Sequence, residues 1–151
     1  MTIPPPRLRR CVLLLLLDRG SGSVLCRRGP VLTPPCFPVP GAHSYQQAAA
    51  TAARAQWGLT DLWFAPLVCH LWATPPTGPG GARTERRLLL ASPADQNLSR
   101  LRHRPPPHTR WRSPGDPALQ GFPARPVDLL TVVEGYWDGW LPDGPLTVDW
   151  D

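Results

Sequence analysis

Two adjacent arginines, Arg27 and Arg28, close the apolar run Val24-Leu25-Cys26. A guanidinium keeps its proton at physiological pH and grips a phosphate or carboxylate with two parallel N–H donors. Such a pair at a strand end can hold phosphates; the plain alternative is surface charge. A second basic stretch, Arg100, Arg102, His103, Arg104, His108, Arg110, Trp111 and Arg112, mixes cations with an aromatic ring. That mixture can follow a nucleic-acid backbone and stack a base. It can equally be a solvated, proline-rich loop. The four cysteines, Cys11, Cys26, Cys36 and Cys69, form no C-x-x-C pair, and no Cys/His spacing matches a zinc site. Cys11 and Cys26 lie in apolar segments, where cysteine acts as a small hydrophobe, so all four are expected reduced, in a cytoplasmic protein. His43 and His70 have no partner at ligand spacing, and Glu85 and Glu134 are the only glutamates.

The charge is lopsided. The formal net charge is +5, and all 16 basic residues are Arg, with no Lys. GC-rich coding explains the choice of Arg, but the distribution has its own consequence. Residues 1–112 carry 15 Arg and four acids, whereas residues 113–151 carry one Arg and seven acids. The first part can attract a polyanion, and the acidic tail is expected to fold back over part of that surface. A length of 151 residues suits one domain, and 42% hydrophobic residues allow a core. With 22 Pro and 13 Gly, the connections are expected to be long and stiff. No Gly period marks a collagen, and no apolar run approaches the roughly 20 residues that span a bilayer. The run Cys11 to Leu17 after Arg7, Arg9 and Arg10 imitates a targeting signal. It is short for one, and Asp18-Arg19 follow at once, so a buried strand is the better reading.

These residues need elements to position them. Cys11–Asp18 and Val24–Arg28, joined by a Gly/Ser link, read as a hairpin. Val31–Val39 is too proline-rich for a central strand. Ser44 to Trp57 reads as a helix: Ser44 and Gln47 form a capping box, the interior is Ala-rich, and Gly58 is a left-handed stop. Leu62–Thr74 reads as a strand bulged near Pro66, Pro75–Ala82 as a loop, and Arg83–Ser92 as a strand. Residues 93–120 read as a Pro/Arg-rich irregular segment with Trp111 on a short strand. Pro126 to Trp137 has Leu129, Leu130, Val133 and Trp137 at helical spacing. The order implies an α/β protein, an α/β/α sandwich with a mixed sheet and two main helices.

That order resembles the Nudix hydrolase family. The family's box reads G-x5-E-x7-R-E-U-x-E-E-x-G-U, usually after a Pro-Gly. Here Phe37-Pro38-Val39-Pro40-Gly41-Ala42 resembles its leading turn, and Ser44-Tyr45-Gln46-Gln47-Ala48-Ala49-Ala50 resembles the start of its helix. Thr51-Ala52-Ala53-Arg54-Ala55-Gln56-Trp57-Gly58-Leu59 falls on the remainder. Leu25-Cys26-Arg27-Arg28 and His108-Thr109-Arg110-Trp111 resemble flanking segments. The resemblance runs loosely from about residue 8 to 140 and implies a single Nudix-like domain for 1–151, in which the Pro- and Arg-rich residues 1–10 read as a flexible lead. It also implies a family activity, hydrolysis of a nucleoside diphosphate linked to another moiety.

The chemistry does not carry over. The family's three Mg²⁺-binding glutamates lie at i, i+3 and i+4, on one helix face. This chain has Ala52, Ala55 and Gln56 there, and Thr51 in place of the bracing Arg. With Ala42 at the first Gly position, the turn is about five residues short and the early Glu is lost as well. Mg²⁺ takes hard oxygens, mostly carboxylates and phosphates. A cofactor is therefore expected to be absent, unless Glu85, Asp61 or Glu134 supplies Mg²⁺ ligands from outside the box. Ala52 and Ala55 are expected to face inward, with the helix packed between sheet and closing helix. Trp63, Trp72, Trp137, Trp140 and Trp150 read as core or lid residues, with Trp63 or Trp72 able to stack on a base if the pocket survives. The expectation is a catalytically impaired Nudix-like protein that at most binds a nucleotide or phosphate through Arg27 and Arg28, with no catalytic residues. The alternative is a non-enzymatic module that binds nucleic acid or an acidic partner through Arg100, Arg102, Arg104, Arg110 and Arg112. No membrane partner is expected.

Overall fold

A computed structural model describes residues 8–73 and 83–151. The Pro75–Ala82 loop and Arg7 lie outside the described residues. The fold is built outward from strand β1, Leu8–Asp18, which starts inside the stretch 1–10 expected as a flexible lead because Leu8 to Arg10 pair with Arg83 to Glu85. Its residues Val12 to Leu17 are buried on both faces of the sheet, as a continuous apolar run in the middle of a parallel pair should be. Because strand side chains alternate, Leu13, Leu15 and Leu17 enter one core and Val12, Leu14 and Leu16 the other.

The hairpin partner β2, Ser23–Arg27, pairs antiparallel with β1 through Leu17↔Val24 and Asp18↔Ser23. Strand β3, Cys36–Pro38, pairs with the other half of β1. The proline-rich stretch thus holds a three-residue strand between its prolines. Helix α1, Tyr45–Trp57, begins with both capping-box bonds: Ser44 Oγ accepts from the Gln47 amide (3.1 Å), and Gln47 Oε1 accepts from the Ser44 amide (2.9 Å). It ends at Gly58, whose φ of 67° is left-handed. Strands β4, Leu62–Trp72, and β5, Arg83–Pro93, pair antiparallel, with a register shift between Phe64 and Val68 at the expected bulge around Pro66.

The segment read as irregular contains a third helix, α2, Asp95–His103, then strand β6, Thr109–Arg112, and a 3₁₀ turn, Pro117–Leu119. Only Leu101 of α2 is buried, too little apolar periodicity to reveal the helix. Helix α3, Leu129–Trp137, starts three residues after Pro126. The acidic tail ends in strand β7, Gly144–Asp149. The mixed seven-stranded sheet runs β6-β2-β1-β5-β4-β7, with β3 beside β1. Helix α1 and Leu101 of α2 pack on one face, and α3 packs on the other. This is the α/β/α sandwich, but α1 is not sandwiched between sheet and closing helix. The tail folds back over part of the basic surface through Phe122, which lies against Arg112, whereas its last strand, β7, occupies the edge opposite β6. Beyond β7 the tail also reaches Arg86, whose guanidinium lies 4.7 Å from the Trp150 ring centre.

One buried carboxylate ties the hairpin to α2. Asp18 is 1% exposed. It accepts two bonds from Arg102 and further bonds from the Ser21 hydroxyl and amide. The Arg102 bonds, with those from Ser21, outweigh burial and hold the Asp18 carboxyl down at about 2. A depressed folded-state pKa stabilises above the unfolded value and is lost as pH falls toward the folded one. Asp18→Asn should therefore lower the melting temperature by several degrees at pH 7, and the gap from wild type should close between about pH 4 and pH 2. Thermal melts across that range check this; a gap independent of pH would contradict it.

Candidate functional site

The β2–β6 pairing brings the two basic segments together. Its register is Val24↔Arg112, Leu25↔Trp111, Cys26↔Arg110 and Arg27↔Thr109. Arg110 and Arg112 therefore share a sheet face with Val24 and Cys26, while Trp111 turns to the other core. After β2 the chain turns through Gly29, whose φ of 153° side-chain-bearing residues rarely adopt. The Arg28 amide donates to the His108 carbonyl (2.8 Å), and its Nε donates to the Thr109 carbonyl (3.1 Å). The loop before α3 is tied to the same place by Leu32 N to Pro123 O (2.8 Å) and Arg125 N to Leu32 O (2.9 Å). Between them lies a cavity of about 330 Å³, lined by Arg27, Arg28, Arg110 and Arg112 with Leu32 and Phe122 among its apolar walls. The Arg112 guanidinium sits 5.4 Å from the Phe122 ring centre, a cation–π contact that orients it. No carboxylate lines this cavity. Four arginines thus border a concave, partly apolar recess, and such a concentration of positive charge attracts anions.

The rest of the Arg-rich segment is placed differently. Arg100 donates to the Trp57 carbonyl (3.2 Å), where a cation meets the negative end of the α1 dipole. Arg102 is held by Asp18. Trp111 is half-buried and donates to the Leu101 carbonyl (3.0 Å), which removes it as a stacking platform. Arg104 and Arg110 are exposed. Trp63 and Trp72 are also exposed, on β4, and neither lines the arginine cavity.

Two of the three box positions look outward, while Ala52 packs against the rim of the core. The buried face of α1 is Tyr45, Ala48, Ala49, Ala53 and Trp57. Ala52 is half-buried, and Ala55 and Gln56 are exposed, so the expected inward orientation fails for Ala55. Nor is a deletion needed. With Gly58 fixed as the closing glycine, the pattern counted back without a gap puts its early Glu at His43 and its first Gly at Phe37. His43 lies just before the cap, its carbonyl accepting from Arg10 (3.0 Å) and its buried Nδ1 without a partner.

The remaining acids do not reassemble a metal site. Glu85 accepts from the Tyr45 hydroxyl (2.8 Å) and pairs with Arg87 (3.1 Å). Arg87 and Arg10 lie over the Tyr45 ring, and burial together with Glu85 raises the Tyr45 hydroxyl pKa. Asp61 is at the opposite end of β5, its carbonyl accepting from the Ala94 amide, and Glu134 is on α3 across the sheet. Among the described residues, no three His, Cys, Asp or Glu side chains converge. The residues present do not fit a Mg²⁺ ion. A thiolate is also unfavourable at the two buried cysteines, where burial pushes Cys26 up to about 12 and Cys69 up to about 11.

With this geometry in place, comparison with solved structures identifies the fold as Nudix-like. The chain is similar to a MutT mutator protein from Bacillus halodurans, with a TM-score of 0.52, 11% identity, and coverage of 93% of this chain and 88% of that one. It is similar to a mutT/nudix family protein from Listeria innocua (0.50, 17%, 91% and 96%). It is also similar to a NUDIX hydrolase from Nitrosomonas europaea (0.58, 13%, 98% and 82%). No family model and no curated protein matches the sequence. Among the described residues, no helix is long and apolar enough to cross a membrane.

Because Ala55 is exposed, Ala55→Glu should change the unfolding free energy by less than about 1 kcal/mol. Denaturant melts measure it. A loss of several kcal/mol, the cost of an unpartnered buried carboxylate, would show that this side of the helix is closed and dry.

Proposed function

We propose that this chain is a single, cytoplasmic Nudix-like domain that binds a phosphate-bearing small molecule of the nucleotide class through arginine instead of metal. It is impaired in metal-dependent cleavage of diphosphates. The observation that carries this reading is the cavity ringed by Arg27, Arg28, Arg110 and Arg112 without a carboxylate. In a Nudix hydrolase the diphosphate charge is met mainly by Mg²⁺, which also prepares the attacking water. The box face of this chain presents Ala52, Ala55 and Gln56, which offer one neutral amide and no carboxylate. Fixed guanidinium groups can bind the same anion but cannot lower the pKa of a water as a metal does. The arrangement therefore supports recognition and leaves the attacking water without metal activation.

The site binds by geometry. Arg28 is pre-oriented by its bond to Thr109, and Arg112 by Phe122, so little side-chain freedom is lost on capture. Each charge-assisted hydrogen bond contributes about 1.5–3 kcal/mol. Exposed Arg104 and Arg110 favour a second reading, a longer polyanion such as nucleic acid. Its signature is affinity that rises with chain length and falls steeply with salt.

Calorimetric titration with a nucleoside diphosphate should show binding that a chelator leaves unchanged. Arg27→Ala combined with Arg28→Ala should weaken it by roughly tenfold or more, the loss of at least one charge-assisted contact. Sensitivity to chelator with indifference to the double substitution would place the site elsewhere. Hydrolysis of the nucleotide above background, abolished by chelator, would overturn the catalytic part of the proposal.

A further inference from the structure

Two of the four cysteines are brought together by the sheet. Strand β3 lies beside β1 with Cys11 opposite Pro38, Val12 opposite Phe37 and Leu13 opposite Cys36. Val12 and Phe37 enter the core beneath α1. Side chains alternate along a strand, so Cys11, Leu13, Cys36 and Pro38 share the other face. On that face Cys11 and Cys36 are diagonal neighbours across the two strands.

The ladder brings this diagonal close. The Leu14 amide donates to the Pro35 carbonyl (3.0 Å), and the Val39 amide donates to the Arg10 carbonyl (2.9 Å). Bonded and non-bonded pairs alternate in an antiparallel ladder, so Cys11–Pro38 and Leu13–Cys36 are non-hydrogen-bonded pairs, whose side chains approach more closely. The right-handed twist of the strands then shortens the diagonal from Cys11 to Cys36 at the expense of the one from Leu13 to Pro38. Diagonal neighbours lie about 7–8 Å apart, with their Cβ atoms nearer, and a disulfide needs Cα atoms within about 7 Å. The small remaining adjustment falls on β3, which has three residues and pairs with β1 alone among the described residues.

Both thiols can be reached. Cys36 is exposed and Cys11 half-buried, whereas Cys26 and Cys69 are buried. Desolvation of the sulfur, followed by the Cys11 thiol, raises the Cys36 pKa, while Arg86 and Arg27 lower it. Arg86 stands directly opposite Cys11 on β5. The two sulfurs and two guanidiniums thus share one neighbourhood, in which the cations favour a thiolate as it forms.

We infer that Cys11 and Cys36 are a reversible oxidation site, closed to an intramolecular disulfide by a low-molecular-weight disulfide of the glutathione class. The Cys36 thiolate attacks one sulfur of that disulfide, breaks its S–S bond and releases one small thiolate. The Cys11 thiolate then attacks the Cys36 sulfur of the mixed disulfide, forms the Cys11–Cys36 bond and expels the second small thiolate. The two protons given up by the cysteines end on the two released thiolates, and two electrons pass from the cysteine pair to the small disulfide. In a reducing compartment the pair stays open, and it closes when the oxidised small thiol accumulates. The bridge joins β1 to β3 around the hairpin that carries Arg27 and Arg28. It does not rest on the anion-binding reading.

The full chain incubated with oxidised glutathione should become lighter by two hydrogens in an intact mass spectrum. Trypsin digestion without reductant should then yield peptides 11–19 and 29–54 joined to each other, and a reductant should separate them. Cys11→Ser, which lacks the second thiol, should stop at a glutathione adduct on Cys36. The bridged chain should melt several degrees above the reduced chain, because the cross-link constrains the unfolded state, and Cys36→Ser given the same treatment should show no such gap. The peptide map is read on wild type, so it decides the matter even if a serine variant does not fold. Four thiols that stay free at every glutathione concentration, a bridge that includes Cys26 or Cys69, or chains joined to one another through Cys36 would overturn the inference. So would a bridged chain that melts below the reduced one, because β1 and β3 would then not accommodate the bond.

Discussion

The four-residue register between β2 and β6 is the constraint on which the candidate site depends. Arg28 and the Thr109 carbonyl that holds it are 81 residues apart in the chain. A shift of one residue would turn Arg110 and Arg112 to the opposite face and bring Trp111 into their place. That register is held by burial: Leu25 and Cys26 of β2 are fully buried, and Trp111 is anchored through its Nε1 to α2. The same elements carry the Asp18–Arg102 bond, so the hairpin, α2 and β6 brace one another. Four like charges are thus presented at a rim that the apolar layers beneath have already paid to assemble.

The layers do not depend on the chemistry that the fold hosts elsewhere. Helix α1 needs its capping box, its left-handed Gly58 and a face of small residues against Val12, Leu14 and Leu16. None of these is a carboxylate. The positions at which the Nudix pattern holds metal lie on the flank and outer side of the helix, where Ala and Gln are as compatible with folding as Glu. Fold and catalytic function are separable here for a physical reason: the residues that stabilise α1 and those that would bind a metal occupy different faces of it.

Much of the fold could be read from residue pattern because the relevant forces are local. The capping box, Gly58, the β1 apolar run and the Pro66 bulge each follow from a few neighbouring residues. Helix α2 and strand β7 escaped because their stability is tertiary. Helix α2 buries one leucine and is anchored by Arg102 and Arg100 to distant partners. Strand β7 opens with Gly-Pro and exists through its parallel register with β4. The site divides in the same way. Arg27 and Arg28 stand out as a pair, and the alternation Arg110-Trp111-Arg112 is a strand signal, but only the sheet reveals that they share a cavity with Phe122. Arg100 and Arg102 look identical to their neighbours in sequence, yet they are structural ties.

The most direct test of arginine in place of metal is a crystal structure of the protein grown with a nucleoside diphosphate in the presence of a chelator. The account predicts diphosphate density in the β2–β6 cavity, its oxygens within hydrogen-bonding distance of Arg28 and Arg112, and no ion beside it. Density for the diphosphate against the α1 face at Ala52, Ala55 and Gln56, with the β2–β6 cavity empty, would contradict it.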